Sequence, residues 1–310
     1  MRAALSLRGT EQRSSVALGC VFAVAAVLLF TLEATLAKVI GPQINAAQVT
    51  LLRGLVQIVV IVSVIRGGFP AALRTRRPFG HVGRGMLSAV GAVAYFHVFA
   101  NMPLGIATVI FFSSILFTTA LAGPFLAEVV GWRRWCAALV GFAGMVAVVR
   151  PGAIPFDLTL AAALFLALNA AAINLTTKDL TRTERTVTMM IWIALTTLAI
   201  SIPWSLAVWT WPTWTTLWLM VGIAALGMAG QYASITAYRF ADASALAPVY
   251  YTRIVISGII GAVMFGEVFD IPTLVGSAAI TASALYIAIH EGRAARRIAV
   301  SETGDAHRQR

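Results

Sequence analysis

Three charged side chains lie within long apolar stretches of this 310-residue chain, where a lone charge is costly to bury. Glu33 and Arg53 occupy neighbouring stretches, and Arg253 follows Tyr250 and Tyr251 in a later one. A buried charge normally pairs with an opposite charge or holds a ligand group. These residue types therefore indicate a polar site inside an apolar protein.

Depth relates two of the charges to each other. Glu33 lies about 8 residues before the end of its apolar stretch, and Arg53 lies about 8 residues after the start of its own. If both stretches are helices that rise ~1.5 Å per residue, the two side chains lie at the same depth, ~12 Å from one surface of the protein. We expect an ion pair between them, which either fixes helix packing or handles substrate or protons. Arg253 has no acidic residue of its own half at its depth. It is expected to face a cavity, pair with Glu33 or bind an anionic group, or else to be structural. Its guanidinium, flanked by tyrosines, could also stack on a planar ligand.

Several other polar residues lie inside an apolar stretch or at its end. Each could line a cavity or form a hydrogen bond between helices. They are His97 and Asn101, one helical turn apart, together with Asn169, Asn174, Gln231, Tyr232 and Lys38. Lys38 is also expected to extend its amine to the nearby membrane surface. Glu128 and Glu267 are predicted to lie in water, making contacts at helix ends.

Enzymatic chemistry has no support in the sequence. There is no nucleotide-binding glycine loop, no metal-spaced cluster and no Ser-His-Asp arrangement. We therefore predict no catalytic residue, no metal, no cofactor and no ATP hydrolysis by this chain.

The elements that must position these residues are membrane helices. The chain is 59% hydrophobic and 11% charged, with a mean hydropathy of +0.86, whereas soluble domains carry about a quarter charged residues. We predict an all-α integral membrane protein with the lipid bilayer as its solvent. Its ten predicted helices cover residues 16–40, 45–66, 82–100, 104–127, 135–150, 155–177, 186–206, 214–236, 242–265 and 271–291.

The basic residues predict the orientation of these helices. With the N-terminus in the cytoplasm, 19 of the 23 Lys and Arg residues fall in cytoplasmic segments and only Lys38 and Arg150 fall outside. Both termini are therefore predicted to be cytoplasmic, with the Trp-rich segment 204–218 at the outer surface. Because the net charge of +11 is concentrated in short joints, it indicates membrane orientation and not a nucleic-acid partner.

The two halves of the chain resemble each other. Glu128 and Glu267 are 139 residues apart, and the same offset pairs Ala137 with Gly276 and Gly144 with Ser283, all small residues. Five helices per half would invert the second half in the membrane. The predicted organisation is a tail at 1–15, a first repeat at 16–150, a second repeat at 155–291 and a tail at 292–310. Residues 1–15 and the end of the chain from residue 301 are expected to be disordered.

A family resemblance rests on particular segments. These are Ala237 to Tyr251 with Pro248, Phe265-Gly-Glu267, Ala284-Leu-Tyr286, and Glu33, Lys38 and Arg53 in the first half. Over residues 16–291 the chain resembles EamA-type transporters of the drug/metabolite transporter superfamily. That resemblance implies two inverted five-helix repeats and secondary transport; members export amino acids and drug-like compounds or take up S-adenosylmethionine or riboflavin. Related sequences often have Asp at the position of Glu33, which leaves a coupling role for this carboxylate open.

The expected function is secondary transport of a small molecule across a bacterial inner (plasma) membrane by alternating access. One acidic group against two or three cations favours an anionic or zwitterionic metabolite, amino-acid-like or of the S-adenosyl type. Two alternatives are a non-transporting partner subunit or sensor and a membrane-bound transferase. Proton coupling and homodimerisation are both compatible with the sequence.

Overall fold

A computed structural model describes the backbone of residues 2–65, 73–126, 132–149, 156–181, 183–240 and 243–287. The described chain is helical, without strands. Its helices are α1 (Arg2–Ile40), α2 (Ala46–Ile65), α3 (Pro78–Asn101), α4 (Leu104–Phe112), α5 (Ser114–Leu126), α6 (Trp132–Val149), α7 (Leu158–Thr181), α8 (Thr186–Ala207), α9 (Trp214–Phe240), α10 (Ala243–Phe265) and α11 (Ile271–Ile287), with a 3₁₀ turn at Gly41–Gln43.

Local signals explain where several helices begin and end. Gly41 (φ 58°) and Gly266 (φ 65°) adopt the left-handed conformation just after α1 and α10, which glycine tolerates without steric cost. Asp157 precedes α7, and its carboxylate accepts a 2.8 Å hydrogen bond from the Leu160 N–H. Asp270 precedes α11 and accepts a 3.2 Å bond from the Thr273 N–H. Both carboxylates satisfy first-turn N–H groups and interact favourably with the helix dipole.

The predicted spans agree closely with the helices. Seven described helices are long and apolar enough to cross a membrane, and three shorter apolar segments coincide with predicted spans four, five and ten. The chain is therefore a multi-pass membrane protein. Glu128 and the tail 292–310 lie outside the described residues.

Two details differ from the predictions. Helix α1 begins at Arg2, so residues 2–15 continue the first helix and are not a disordered tail. The fourth predicted span is interrupted at Ser113, between α4 and α5. Ser113 Oγ donates to Ile110 O at 2.6 Å, a local bond that competes with regular helix hydrogen bonding.

Helices of the two halves pack against each other in reciprocal pairs. Helix α1 contacts α9 and α10, while α7 contacts α3 and α5; α2 packs on α8, and α4 on α10. At the crossing of α6 and α11, Ser283 Oγ donates to Ala137 O. Nearby, Gly144 and Gly276 approach so closely that a Cβ on Gly144 would lie 2.8 Å from Gly276 O. The small residues paired in the sequence thus form one close helix crossing.

The bundle has two chemically different ends. The tryptophan end carries Trp209, Trp211 and Trp214, the C-terminus of α1 and the joint between α3 and α4. The opposite, arginine end carries Arg77 and the joint between α7 and α8. The largest buried apolar cluster joins residues of α1, α3, α4, α7 and α10, and it surrounds the charged side chains described next.

Candidate functional site

An ion pair lies inside the bundle. Arg53 Nη1 on α2 is 2.9 Å from Glu33 Oε1 on α1, with side chains 23% and 2% exposed. Gly227 on α9 provides the room, because a Cβ there would overlap Glu33 Oε1 and lie 3.0 Å from Arg53 Nη2. The Arg53 guanidinium is 5.7 Å from the centre of the Phe96 ring on α3. The two side chains matched by depth in the sequence therefore meet, in a setting that involves four helices.

Arg253 on α10 occupies a cage of aromatic rings. It is 6% exposed, and its Nη2 donates to Phe30 O at 3.1 Å and to the Tyr95 hydroxyl at 2.9 Å. Its guanidinium carbon lies 5.7, 5.9 and 6.0 Å from the ring centres of Phe30, Phe99 and Phe111. Within the part of the chain that the structure describes, it makes no ion pair. Ring faces and neutral acceptors therefore hold this cation.

Together these groups form one positively charged aromatic site. The site holds one carboxylate and two guanidinium groups, so positive charge is in excess. Tyr95 is central to it: its ring centre is 4.4 Å from that of Phe99, and its hydroxyl accepts from Arg253. Sequence analysis missed Tyr95, because an aromatic residue in an apolar helix usually serves packing and carries no distinguishing signal.

The two tyrosines before Arg253 contact residues of other helices. The Tyr250 hydroxyl is 2.8 Å from Ser234 Oγ on α9. The buried Tyr251 ring is 5.3 Å from Phe112. Phe30, Phe99 and Phe111 surround the guanidinium, and the Tyr95 hydroxyl accepts from it, so stacking of this guanidinium on a planar ligand stays a prediction.

A groove of about 430 Å³ opens at the tryptophan end. His97 and Asn101 line it, and Asn101 Nδ2 donates to His97 O at 2.8 Å. Phe96, 2% exposed, forms part of the groove wall while Arg53 lies near its ring. This ring therefore borders the groove and also lies beside Arg53. The volume lies in the range usual for small-molecule sites.

The remaining sequence candidates are scattered. Asn169 is 3% exposed and lies against Gly91 of α3. Gln231 is half-buried, whereas Asn174 is exposed and Tyr232 is 70% exposed. The structure therefore brings Asn169 towards the interior, but it does not bring Asn174 or Tyr232 to the aromatic site.

Lys38 and Glu267 form a clasp at the tryptophan end. Lys38 Nζ lies 2.7 Å from Glu267 Oε1 and donates to Met102 O at 2.8 Å. The Glu267 oxygens accept from the Leu104 N–H at 2.9 and 2.8 Å, at the start of α4. Their side chains are 15% and 8% exposed. Glu267 is thus a helix-end contact as expected, but it does not lie in water, and Lys38 is bound to it instead of extending to the membrane surface.

A second polar network joins helices at the arginine end. Arg77 Nη2 is 2.5 Å from Asp179 Oδ2. Thr75 Oγ1 donates to Glu184 Oε1 at 2.8 Å, and His81 Nε2 is 3.5 Å from Glu184 Oε2. The hydrogen bond from Thr75, with a smaller effect of the nearby His81, holds the pKa of the Glu184 carboxyl below its ordinary value.

Comparisons with known proteins agree with this architecture. The model of the EamA-like transporter family matches residues 17–150. The S-adenosylmethionine uptake transporter of Rickettsia bellii is 30% identical, over 84% of this chain and 89% of that protein. The riboflavin transporter of Vibrio cholerae is 28% identical over 90% and 95%. A solved crystal structure, 18% identical, superposes with a TM-score of 0.55 over 86% of this chain and 94% of the other.

These relatives share nearly the whole chain, including both halves of the bundle. Their names describe carriage of small metabolites, in agreement with an apolar helical bundle that buries a charged aromatic site. The chain belongs to the EamA-like transporter family, within the drug/metabolite transporter superfamily, and is a transporter of small metabolites and not an enzyme.

Proposed function

We propose that this protein carries a small anionic or zwitterionic metabolite, of the S-adenosyl or amino-acid type, across a bacterial inner membrane by alternating access. The observation that carries the proposal is Arg253, a buried guanidinium held by aromatic rings and neutral acceptors. Burying such a charge in an apolar bundle costs free energy, which an ionic contact with a bound ligand would offset. A substrate carboxylate would form a charge-assisted, planar pair with this group.

The charge balance around Arg253 supports a substrate that bears a carboxylate. Lys38 is occupied by Glu267, which leaves Arg53 and Arg253 against Glu33 in the interior. S-adenosylmethionine carries a carboxylate together with ammonium and sulfonium cations. Its carboxylate suits Arg253, while its cations suit Glu33 and the surrounding ring faces. Relatives named for S-adenosylmethionine uptake support this class, and those named for riboflavin provide a second, uncharged planar probe.

Alternating access is supported by the reciprocal packing of the two halves. The 139-residue offset relates Ala137 to Gly276 and Gly144 to Ser283. It therefore converts the contact between Ala137 and Ser283 into the contact between Gly276 and Gly144, as expected for inverted repeats. In this proposal the Lys38–Glu267 clasp opens when the tryptophan end opens. The basic-residue distribution supports an outward-facing tryptophan end, with both termini in the cytoplasm. Proton coupling through Glu33 and formation of a homodimer remain compatible with it.

The test uses the purified full chain in proteoliposomes. Uptake of radiolabelled S-adenosylmethionine and, separately, of riboflavin is measured for the wild type and for Arg253→Met, which keeps side-chain volume. Arg133→Met, which changes an exposed arginine at the arginine end, is the matched control. We expect wild type and control to transport S-adenosylmethionine, and Arg253→Met to lose at least tenfold in rate.

Thermal stability of each variant in detergent separates binding from folding. An Arg253→Met protein that keeps its melting temperature but loses uptake supports the proposal. Normal uptake by Arg253→Met contradicts it. Riboflavin uptake without S-adenosylmethionine uptake would replace the charged substrate class by a planar, uncharged one.

A further inference from the structure

Asn169 on α7 is a buried amide whose hydrogen-bonding capacity is unused. Its side chain is 3% exposed, and neither Oδ1 nor Nδ2 has a hydrogen-bond partner among the described residues. It lies against α3, where a Cβ at Gly91 would overlap Oδ1. Because an unsatisfied buried amide is costly, native proteins rarely retain one without a use.

The repeat relates this amide to the ion pair of the first half. A spacing of 136 residues, three fewer than the offset that relates the last helices of the two halves, separates Glu33 from Asn169, and the same spacing separates Gly91 from Gly227. Glu33 lies against Gly227, and Asn169 lies against Gly91. Each half therefore has one polar side chain on its first helix, seated on a glycine of the third helix of the other half. In the first half it is a carboxylate paired with Arg53, and in the second it is a neutral amide.

The position of Asn169 connects it to both the groove and the aromatic site. The groove is lined by Val90 and Ala94, which flank Gly91, and by Phe165, one helical turn before Asn169. Tyr95, which accepts from Arg253, lies one turn beyond Gly91 on α3, a rise of ~6 Å. Asn169 is thus one helical turn from a residue that lines the groove, and the glycine it contacts is one turn from the acceptor of Arg253, although neither Asn169 nor Arg253 itself lines the groove.

We propose that Asn169 is a specificity-determining residue of this carrier, whose amide binds an uncharged substrate group that both donates and accepts a hydrogen bond. The edge of an adenine ring and the pyrimidine edge of a flavin have this chemistry, and Asn forms paired hydrogen bonds with the adenine edge. The charged end of the substrate then lies at Arg253 and Glu33. This inference rests on the proposed function and adds the part of the substrate that the second half recognises.

The first test is Asn169→Leu, which removes the amide at similar volume. A ligand contact predicts that the melting temperature without substrate stays the same or rises, because an unpaired amide is removed. Transport is measured with two matched pairs: S-adenosylmethionine against its N6,N6-dimethyladenine analogue, which has no N6–H donor, and riboflavin against N3-methylriboflavin, which has no N3–H donor. We expect the wild type to prefer the parent compound about tenfold in one pair, and Asn169→Leu to lose that preference.

Two glycine variants on α3 provide a second route to the same answer. Gly91→Ala displaces the amide while Asn169 stays in the sequence, so we expect the same loss of preference. Gly83→Ala adds a methyl group to open space on the same helix and should leave the preference unchanged.

The outcomes separate this inference from the proposed function. A wild type that transports neither parent compound overturns both. A wild type that transports one of them without distinguishing it from its analogue overturns only the role of Asn169. The role of Asn169 is also overturned if Asn169→Leu keeps the preference for the parent compound. A lower melting temperature together with unchanged selectivity would assign Asn169 to interhelical packing.

Discussion

At the scale of single residues, the Glu33–Arg53 ion pair is sensitive to substitution because the Glu33 side chain is almost completely buried. Arg53 keeps 23% of its side chain exposed, whereas Glu33 keeps only 2%. Removing one partner of such a pair leaves a charge without its counterion, while removing both avoids that cost. The pair therefore offers a way to separate packing from transport.

For this pair we expect Glu33→Gln to reduce the free energy of unfolding by roughly 2–3 kcal/mol, somewhat less than for a fully buried pair because Arg53 reaches solvent. Adding Arg53→Gln should recover part of that loss. Transport should fail in both single variants and in the double variant, because the substrate cation loses its carboxylate. Melting temperature and proteoliposome uptake measure the two effects. A double variant with normal uptake would assign the pair to packing alone.

At the scale of elements, the Lys38–Glu267 clasp ties three segments together. It joins the end of α1, the joint between α3 and α4 and the joint between α10 and α11. Gly261 permits this geometry, because a Cβ there would overlap Glu267 Oε2. These segments must separate for the tryptophan end to open under alternating access.

We therefore expect Lys38→Met to favour the open tryptophan end. A cysteine placed at the buried groove residue Ala37, in a protein without Cys20 and Cys136, should react severalfold faster with a membrane-impermeant maleimide. The exchange Lys38→Glu with Glu267→Lys should restore slow labelling only in part, because a lysine at 267 cannot accept from the Leu104 N–H. Unchanged labelling in Lys38→Met would show that the clasp does not control opening.

The network at the arginine end should make stability depend on pH. The pKa of Glu184 is lowered in the folded protein, mainly by the hydrogen bond from Thr75. Its ionised form therefore adds stability that is fully present above the ordinary value of 4.5 and is lost as the pH falls through the lower folded pKa.

Melting temperatures from pH 7 to pH 3.5 for wild type and Glu184→Gln measure this contribution. We expect the wild type to be more stable near neutral pH and the difference to shrink below about pH 4.5. A difference between wild type and Glu184→Gln that does not vary with pH would exclude this role for Glu184.

At the scale of the whole molecule, orientation follows from the distribution of basic residues across the two ends. Single cysteines at Thr215 and Thr183 would report the tryptophan and arginine ends, since both positions are exposed. In intact cells, an impermeant maleimide should label the cysteine at 215 at once and the one at 183 only after permeabilisation. The reverse pattern would invert the proposed orientation.

The sequence alone determined the helices and the partner of one buried charge. A span of about 20 apolar residues follows from the thickness of the bilayer. The ends of the ten predicted spans therefore mostly agree within a few residues with those of the observed helices, where α4 and α5 together form the fourth span. Depth along neighbouring helices was enough to bring Glu33 to Arg53, because consecutive helices run antiparallel. The break at Ser113 escaped prediction, since it depends on local hydrogen bonding and not on apolar length.

Only the tertiary structure decided which groups meet across the two halves. Tyr95 with Arg253, Asn169 with Gly91, and Lys38 with Glu267 are contacts between residues 78 or more positions apart in the chain. Helical periodicity indicates which face of a helix is polar, but in an apolar bundle nearly every face is apolar. The rotation of each helix is therefore set by packing, by the small residues that allow close approach and by the cost of leaving a buried charge without a partner.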